Sequence, residues 1–235
     1  MRNETTTLRI ELESVKAGCE ELKSKNQRLF SLVVKLLKDG SVSLGELTPF
    51  VTPAQASEIS EEASKSQKER FPFYLGSQFY PSGWMGDGES GKKYIGFGSR
   101  AADVDGKTMP VIEIIYQKGP KGWAGIYWQY PDGNWGAEPG RNLLGAKKVT
   151  FWAKGAKGGE IVEFKSGGIS SGPYKDSYKT SIGKVILGKN WKRYTIDLSK
   201  HDLSSVIGAF AWTVAASDNN EAEKVITYLA DLRIE

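Results

Sequence analysis

The sequence predicts a mainly β protein: an antiparallel β-sandwich preceded by an α-helical coiled coil. From Phe71 onward, short runs of β-branched and aromatic residues alternate with Gly, Pro, Asn and Asp, which is the punctuation of antiparallel strands. Before that point, apolar residues recur at steps of four and three, the spacing of a helical seam. The composition changes at the same place. No tryptophan precedes Trp84, and six of the seven follow residue 90. The expected organisation is a coiled-coil oligomerisation helix over residues 1–39, a linker with a polar helix over 40–70, and a sandwich over 71–235.

In the seam, Leu12, Cys19, Asn26 and Val33 fall at a, and Leu8, Val15, Leu22, Leu29 and Leu36 at d. Leucine at d with a polar Asn26 at a favours a parallel dimer, because the two amides meet across the seam only in register. Gly18 weakens the helix, and extra apolar residues at Phe30, Leu32, Val34 and Leu37 leave a trimer open. The alternative is one amphipathic helix packed on the sandwich. Asp39-Gly40 ends the helix. Thr52-Pro53-Ala54-Gln55 then reads as the start of another, with a capping threonine, proline in the first turn and a glutamine three residues on, running to about Arg70. A disordered linker is the competing reading of this second segment.

The strands expected are Val111–Tyr116, Trp123–Tyr130, Lys147–Lys154, Ile161–Phe164, Lys192–Leu198, Val206–Val214 and Val225–Ile234. Pro131-Asp132-Gly133-Asn134 is a turn by its chemistry. Alternation gives Phe151, Val162 and Phe164 to the core and directs Trp152, Glu163 and Lys165 outward, so these three are expected to share one surface. An aromatic plane beside hydrogen-bonding groups is what a sugar ring needs, its C–H face on the ring and its hydroxyls at the edge. Trp84 and Asp87 in an expected Gly-rich loop, and Trp135 after the turn, complete the candidate binding residues. Burial is the expected fate of Trp128, Trp191 and Trp212.

Tyr80-Pro81-Ser82-Gly83-Trp84-Met85-Gly86-Asp87, Trp123-Ala124-Gly125-Ile126-Tyr127-Trp128-Gln129, Asn134-Trp135-Gly136 and Val149-Thr150-Phe151-Trp152-Ala153-Lys154-Gly155 resemble segments of bacterial galactose-binding-like jelly rolls. Trp191 to Leu198 and the closing Tyr228-Leu229-Ala230-Asp231-Leu232 are similar to the same group, which includes many non-catalytic carbohydrate-binding modules. The resemblance implies a jelly roll over 71–235, an oligo- or polysaccharide partner and an extracellular or cell-surface location. It also implies a structural calcium near Asp231, although Ala230 stands where the family often has a second aspartate.

Several functions are disfavoured. The first 70 residues balance at 11 basic and 11 acidic, leaving 21 basic and 17 acidic spread over the rest, too dilute a stripe for nucleic acid. No apolar run is long enough to span a bilayer, and Met1-Arg2-Asn3-Glu4 does not lead into a secretory core. One cysteine and one histidine exclude a disulfide framework and a histidine metal cluster. Asp103-Val104-Asp105-Gly106 reads as a surface turn rather than a calcium loop. The expected function is a non-catalytic carbohydrate-binding module displayed on an oligomerising coil. The alternatives are a glycoside hydrolase drawing on Glu113, Glu163, Asp87 or Asp132, and a structural or adhesion protein binding another protein at a cell surface.

Overall fold

The computed structural model describes residues 52–59 and 71–235, with Lys16, Asn26, Leu29, Phe30 and Val33 before them. The chain divides into two compact units, Met1–Lys65 and Ser66–Glu235. In the first unit those five residues are helical. The rest of the expected seam, Leu8, Leu12, Val15, Cys19, Leu22 and Leu36, lies outside the described residues. Residues 53–59 form a helix that starts as its sequence predicts. The Thr52 N–H donates to Gln55 Oε1 at 2.9 Å and the Gln55 N–H to Thr52 Oγ1 at 3.3 Å, a reciprocal cap. Its expected continuation toward Arg70 also lies outside the described residues. Among the described residues no helix is long and apolar enough to cross a membrane.

The second unit is a β-sandwich of the jelly-roll kind. Its strands are β1 (Phe73–Tyr74), β2 (Tyr80–Gly86), β3 (Ile95–Val104), β4 (Lys107–Gln117), β5 (Trp123–Gln129) and β6 (Lys148–Gly155). They continue as β7 (Ile161–Gly167), β8 (Lys179–Ile186), β9 (Lys192–Asp197), β10 (Gly208–Ala215) and β11 (Lys224–Ile234). One sheet has the order β3-β4-β11-β6-β9, with β1 beside β11, and the other the order β2-β5-β10-β7-β8. All of these pairings are antiparallel. The seven expected strands are present with ends shifted by a few residues. β1, β2, β3 and β8 were not expected, and β2 replaces the loop foreseen around Trp84.

The core lies between the sheets and is aromatic at its centre. Phe151 of β6 meets Phe164 of β7 at 4.6 Å between centroids and Phe210 of β10 at 5.0 Å, both edge-on, and stacks on Tyr194 of β9 at 5.7 Å. Trp128 and Trp212 are buried as expected. Asp105 and Gly106 form the two-residue β3–β4 connection with φ of 52° and 78°, the conformation that tight hairpins need. The Asp103 carboxylate accepts the Gly106 N–H there, so this acidic stretch is a turn. Because Phe151 bridges the two sheets, Phe151→Ala is expected to cost about 3 to 5 kcal/mol, read from urea midpoints at constant slope. A loss below about 1 kcal/mol would mean that the core closes over the gap.

Candidate functional site

The sandwich has two outer faces, and they separate residues that the sequence had grouped. β6 belongs to the six-stranded sheet and β7 to the five-stranded sheet. Trp152 therefore points away from the core on one side of the molecule, and Glu163 and Lys165 point away on the other. The expected surface shared by all three does not form. Parity along each strand was read correctly, but the connection between β6 and β7 crosses from one sheet to the other.

Trp84 and Asp87 also move from their expected places. Trp84 pairs across the sheet with Ile126, a core residue, and packs edge-on against Phe97 at 6.0 Å, so it faces the interior. Asp87 is 1 % exposed and is consumed by three donors: Tyr116 Oη at 2.9 Å, the Gly119 N–H at 3.1 Å and the Lys121 N–H at 2.8 Å. Burial together with Asp87 pushes the Tyr116 phenol well above its usual range. Asp87 thus ties the turn after β2 to the β4–β5 connection, and the three donors satisfy its own buried carboxylate.

The outer face of the five-stranded sheet gathers the remaining candidates. Met85, Gly125, Thr213, Glu163 and Lys184 follow one another across its strands, with Tyr127, Ala211, Lys165 and Ser181 in the adjacent row. A groove of about 230 Å³ lies here, lined by Trp123, Glu163, Lys165, Lys184, Thr213 and Asp218 among others. Gly125 contributes no side chain to this face. Trp123 and Trp135 are 40 % and 38 % exposed, large fractions for tryptophan. Trp135 packs edge-on against Tyr127 at 6.0 Å. Tyr127 lies four residues from Trp123 on the same face, about 13 Å at the usual strand rise.

Both tryptophans are held by backbone. Gly86, at φ 63°, lies against Trp123, where a Cβ would come within 2.9 Å of the indole and 2.4 Å of its carbonyl oxygen. The buried Asn134 fixes the turn that carries Trp135, donating to the Tyr130 and Glu138 carbonyls and accepting the Gly136 and Glu138 N–H groups. Gly136, at φ 100°, lies so close to the Ser171 carbonyl that a Cβ would meet it at 1.9 Å. Ser171 Oγ donates to the Trp135 carbonyl at 2.8 Å, and the Tyr174 N–H donates to the Gly136 carbonyl at 3.0 Å. The exposed Tyr174 belongs to this same rim. Trp135 was legible in the sequence, whereas Trp123, which opens β5 against Gly86, was missed.

The charges in the groove are matched internally. Lys165 pairs with Glu163 at 2.8 Å and Lys184 with Asp218 at 2.6 Å. Burial raises the Glu163 carboxyl, but hydrogen bonds from Lys165 and Ser181, with the charges of Lys165 and Lys184, outweigh it and hold the pKa below the usual carboxylate range. Glu163 is therefore an acceptor at neutral pH, unsuited to donate a proton as a general acid. Of the other carboxylates a hydrolase would draw on, Glu113 faces outward on the opposite sheet, Asp87 is interior and Asp132 lies in the turn after β5. They do not converge on one cleft.

Asp231 does not fit a calcium site. It stands at a bulge in β11 with φ 49°, and its carboxylate accepts Arg233 Nε at 2.6 Å. Among the described residues no group of three or more His, Cys, Asp or Glu could hold a metal.

No protein-family model and no curated protein matches the chain. Solved structures do match. A family 30 carbohydrate-binding module aligns at 14% identity and TM-score 0.47, over 72% of this chain and 89% of its own. A family 11 module from Clostridium thermocellum, in complex with a β-1,3-1,4-mixed-linked tetrasaccharide, aligns at 14% identity and TM-score 0.40, covering 60% and 82%. A family 29 variant complexed with cellulohexaose gives 12% identity and TM-score 0.34, covering 69% and 89%. With identities and TM-scores this low, none of these likenesses decides what the present chain binds.

At the end of β10 away from the groove, Asp176 accepts N–H groups of Ile207, Ile169 and Gly208 and pins the loop after β7 to β10. Burial pushes its carboxyl up to about 6, against the pull of those three donors. A folded pKa above the unfolded value means that the native state holds the proton more tightly. The resulting stabilisation is full at pH values below the unfolded pKa and is lost as pH rises through about 6. Calorimetry from about pH 4 to pH 7 is expected to show a fall in Tm in the wild type that Asp176→Asn lacks. Parallel curves would show that Asp176 ionises as it does in the unfolded chain.

Proposed function

We propose that the sandwich is a non-catalytic carbohydrate-binding module whose ligand lies along the outer face of the five-stranded sheet. The observation that carries this reading is the pair of exposed tryptophans, Trp123 and Trp135, beside a floor that is small at its centre, at Gly125, Ala211 and Thr213, with a row of hydrogen-bonding groups next to it. Sugar rings would stack on the indoles, and Glu163, Lys165, Lys184 and Thr213 would meet the hydroxyls. The matched ion pairs favour a neutral oligo- or polysaccharide. Trp152 has no place in this site, and neither Trp84 nor Asp87 faces it. The resemblance in sequence to secreted carbohydrate-binding modules supports an extracellular or cell-surface setting.

Titration calorimetry against a panel of soluble glycans tests the assignment. Trp123→Ala and Trp135→Ala are each expected to weaken binding about tenfold, equivalent to about 1.4 kcal/mol, with Tm little changed. Affinity for a neutral ligand should hold between low and high salt. Retained affinity in both variants would place the ligand elsewhere, and no affinity of the wild type for any glycan would favour the adhesion reading.

The domain division proposed is a coil over residues 1–39, a linker with a polar helix over 40–70 and the binding sandwich over 71–235. The coil would present the sandwich as a parallel dimer, with a trimer as the alternative. Asn26 at a supports this reading, as does Leu29 at d, which is 61 % exposed in the single chain. Light scattering of the whole chain is expected to give a dimer mass and of a chain beginning at Phe71 a monomer. A monomer in both would overturn the coil.

A further inference from the structure

We infer that the outer face of the six-stranded sheet is a second binding site, taking a uronic-acid polysaccharide, with Lys154 as the group that meets the carboxylate. This inference is independent of the glycan reading for the opposite face. Arg100, Val111, Ala230, Trp152 and Arg193 follow one another across β3, β4, β11, β6 and β9, a row about 19 Å long at the usual strand spacing. Glu113, Tyr228 and Lys154 form the next row. Trp191, arriving from the β8–β9 connection, packs edge-on against Tyr228 at 6.5 Å. Its indole N–H donates to the Asp103 carbonyl at 2.9 Å, which fixes the ring in place. Trp152, Trp191 and Tyr228 are each half-buried over Val104, Val111 and Ala230.

Lys154 distinguishes this face from the other. Its ammonium lies 5.2 Å from the Trp191 ring centroid and 5.4 Å from that of Tyr228. Among the described residues no carboxylate lies in ion-pair contact with it, whereas Lys165 and Lys184 across the molecule are each neutralised at short range. The other cations nearby are more exposed than their acidic partners. Arg100 is 62 % exposed and only 4.0 Å from Glu113, and Arg193 is 50 % exposed against Glu235. An ammonium held against two aromatic rings is attracted by their faces but has no counter-ion beside it among the described residues. A pyranose bearing one carboxylate supplies both a C–H face for an indole and the missing counter-charge, with Arg100 placed to meet a neighbouring unit. The ammonium acts as a point charge and suits one carboxylate per ring.

Titration of the whole chain with polygalacturonate tests this assignment. Binding is expected at low salt and should weaken at least tenfold on going to high salt, as exposed charges are screened. Lys154→Gln is expected to lose about tenfold and Lys154→Arg to stay within about threefold of wild type, both with Tm little changed. Should Lys154→Gln fold poorly, Arg100→Gln on the exposed rim is expected to lose severalfold. Trp123→Ala is expected to leave polygalacturonate affinity intact. No binding of polygalacturonate, equal binding by Lys154→Gln, loss of it with Trp123→Ala, or tighter binding of a sulfated glucan would each overturn the proposal.

Discussion

The contact on which the rest of the sandwich depends is the aromatic meeting between its sheets. Phe151 and Tyr194 from one sheet stack together and meet Phe164 of the other, and Phe151 also reaches Phe210. These rings are too large to be accommodated in a second register, because a one-residue slip of β6 would replace Phe151 with Trp152 inside and turn Phe151 to solvent. Fixing Phe151 inward therefore fixes Thr150, Trp152 and Lys154 outward. In the same way Phe164 fixes Glu163 and Lys165. The chemistry of both outer faces follows from side chains that never reach the surface.

The loops are anchored by a second device, the buried acceptor. Asp87, Asn134 and Asp176 each use a short polar side chain to collect backbone N–H groups that the sheet ladders leave unpaired. Asn134 is the most consequential for the ligand face, because its four hydrogen bonds lock the turn that carries Trp135. A stacking residue on a turn that is already locked costs little loop ordering on binding, so more of the contact energy appears as affinity.

The fold class, seven strands and the helix cap at Thr52 were legible because each rests on local chemistry. The missed strands lack that chemistry. β2 opens Tyr80-Pro81-Ser82-Gly83, β3 contains Gly96, Gly98, Ser99 and two alanines, and β8 carries Lys179, Ser181, Gly183 and Lys184; these sequences pair because a neighbouring strand holds them. The site was legible only in part for a different reason. Alternation tells which side chains on one strand agree, but not which sheet the strand joins, and Trp152 and Glu163 were separated by that missing fact alone. Asp87 illustrates the same limit, since nothing near it in sequence announces Tyr116, Gly119 and Lys121 as its donors.

The two faces differ in electrostatics more than in composition. Each carries tryptophan, lysine and glutamate, yet the five-stranded sheet pairs its lysines with carboxylates on the same face, and the six-stranded sheet sets Lys154 over rings. The register explains the difference. Lys165 lies two residues beyond Glu163 on the same face and pairs with it, and Lys184, opposite Glu163 on β8, also reaches Asp218 in the turn after β10, so both cations meet an acid. On the other sheet the residue beside Lys154 across β11 is Tyr228, and Glu113 lies one strand further away, where it faces Arg100. A single aromatic between Lys154 and Glu113 thus leaves one face electrically closed and the other open to an anion.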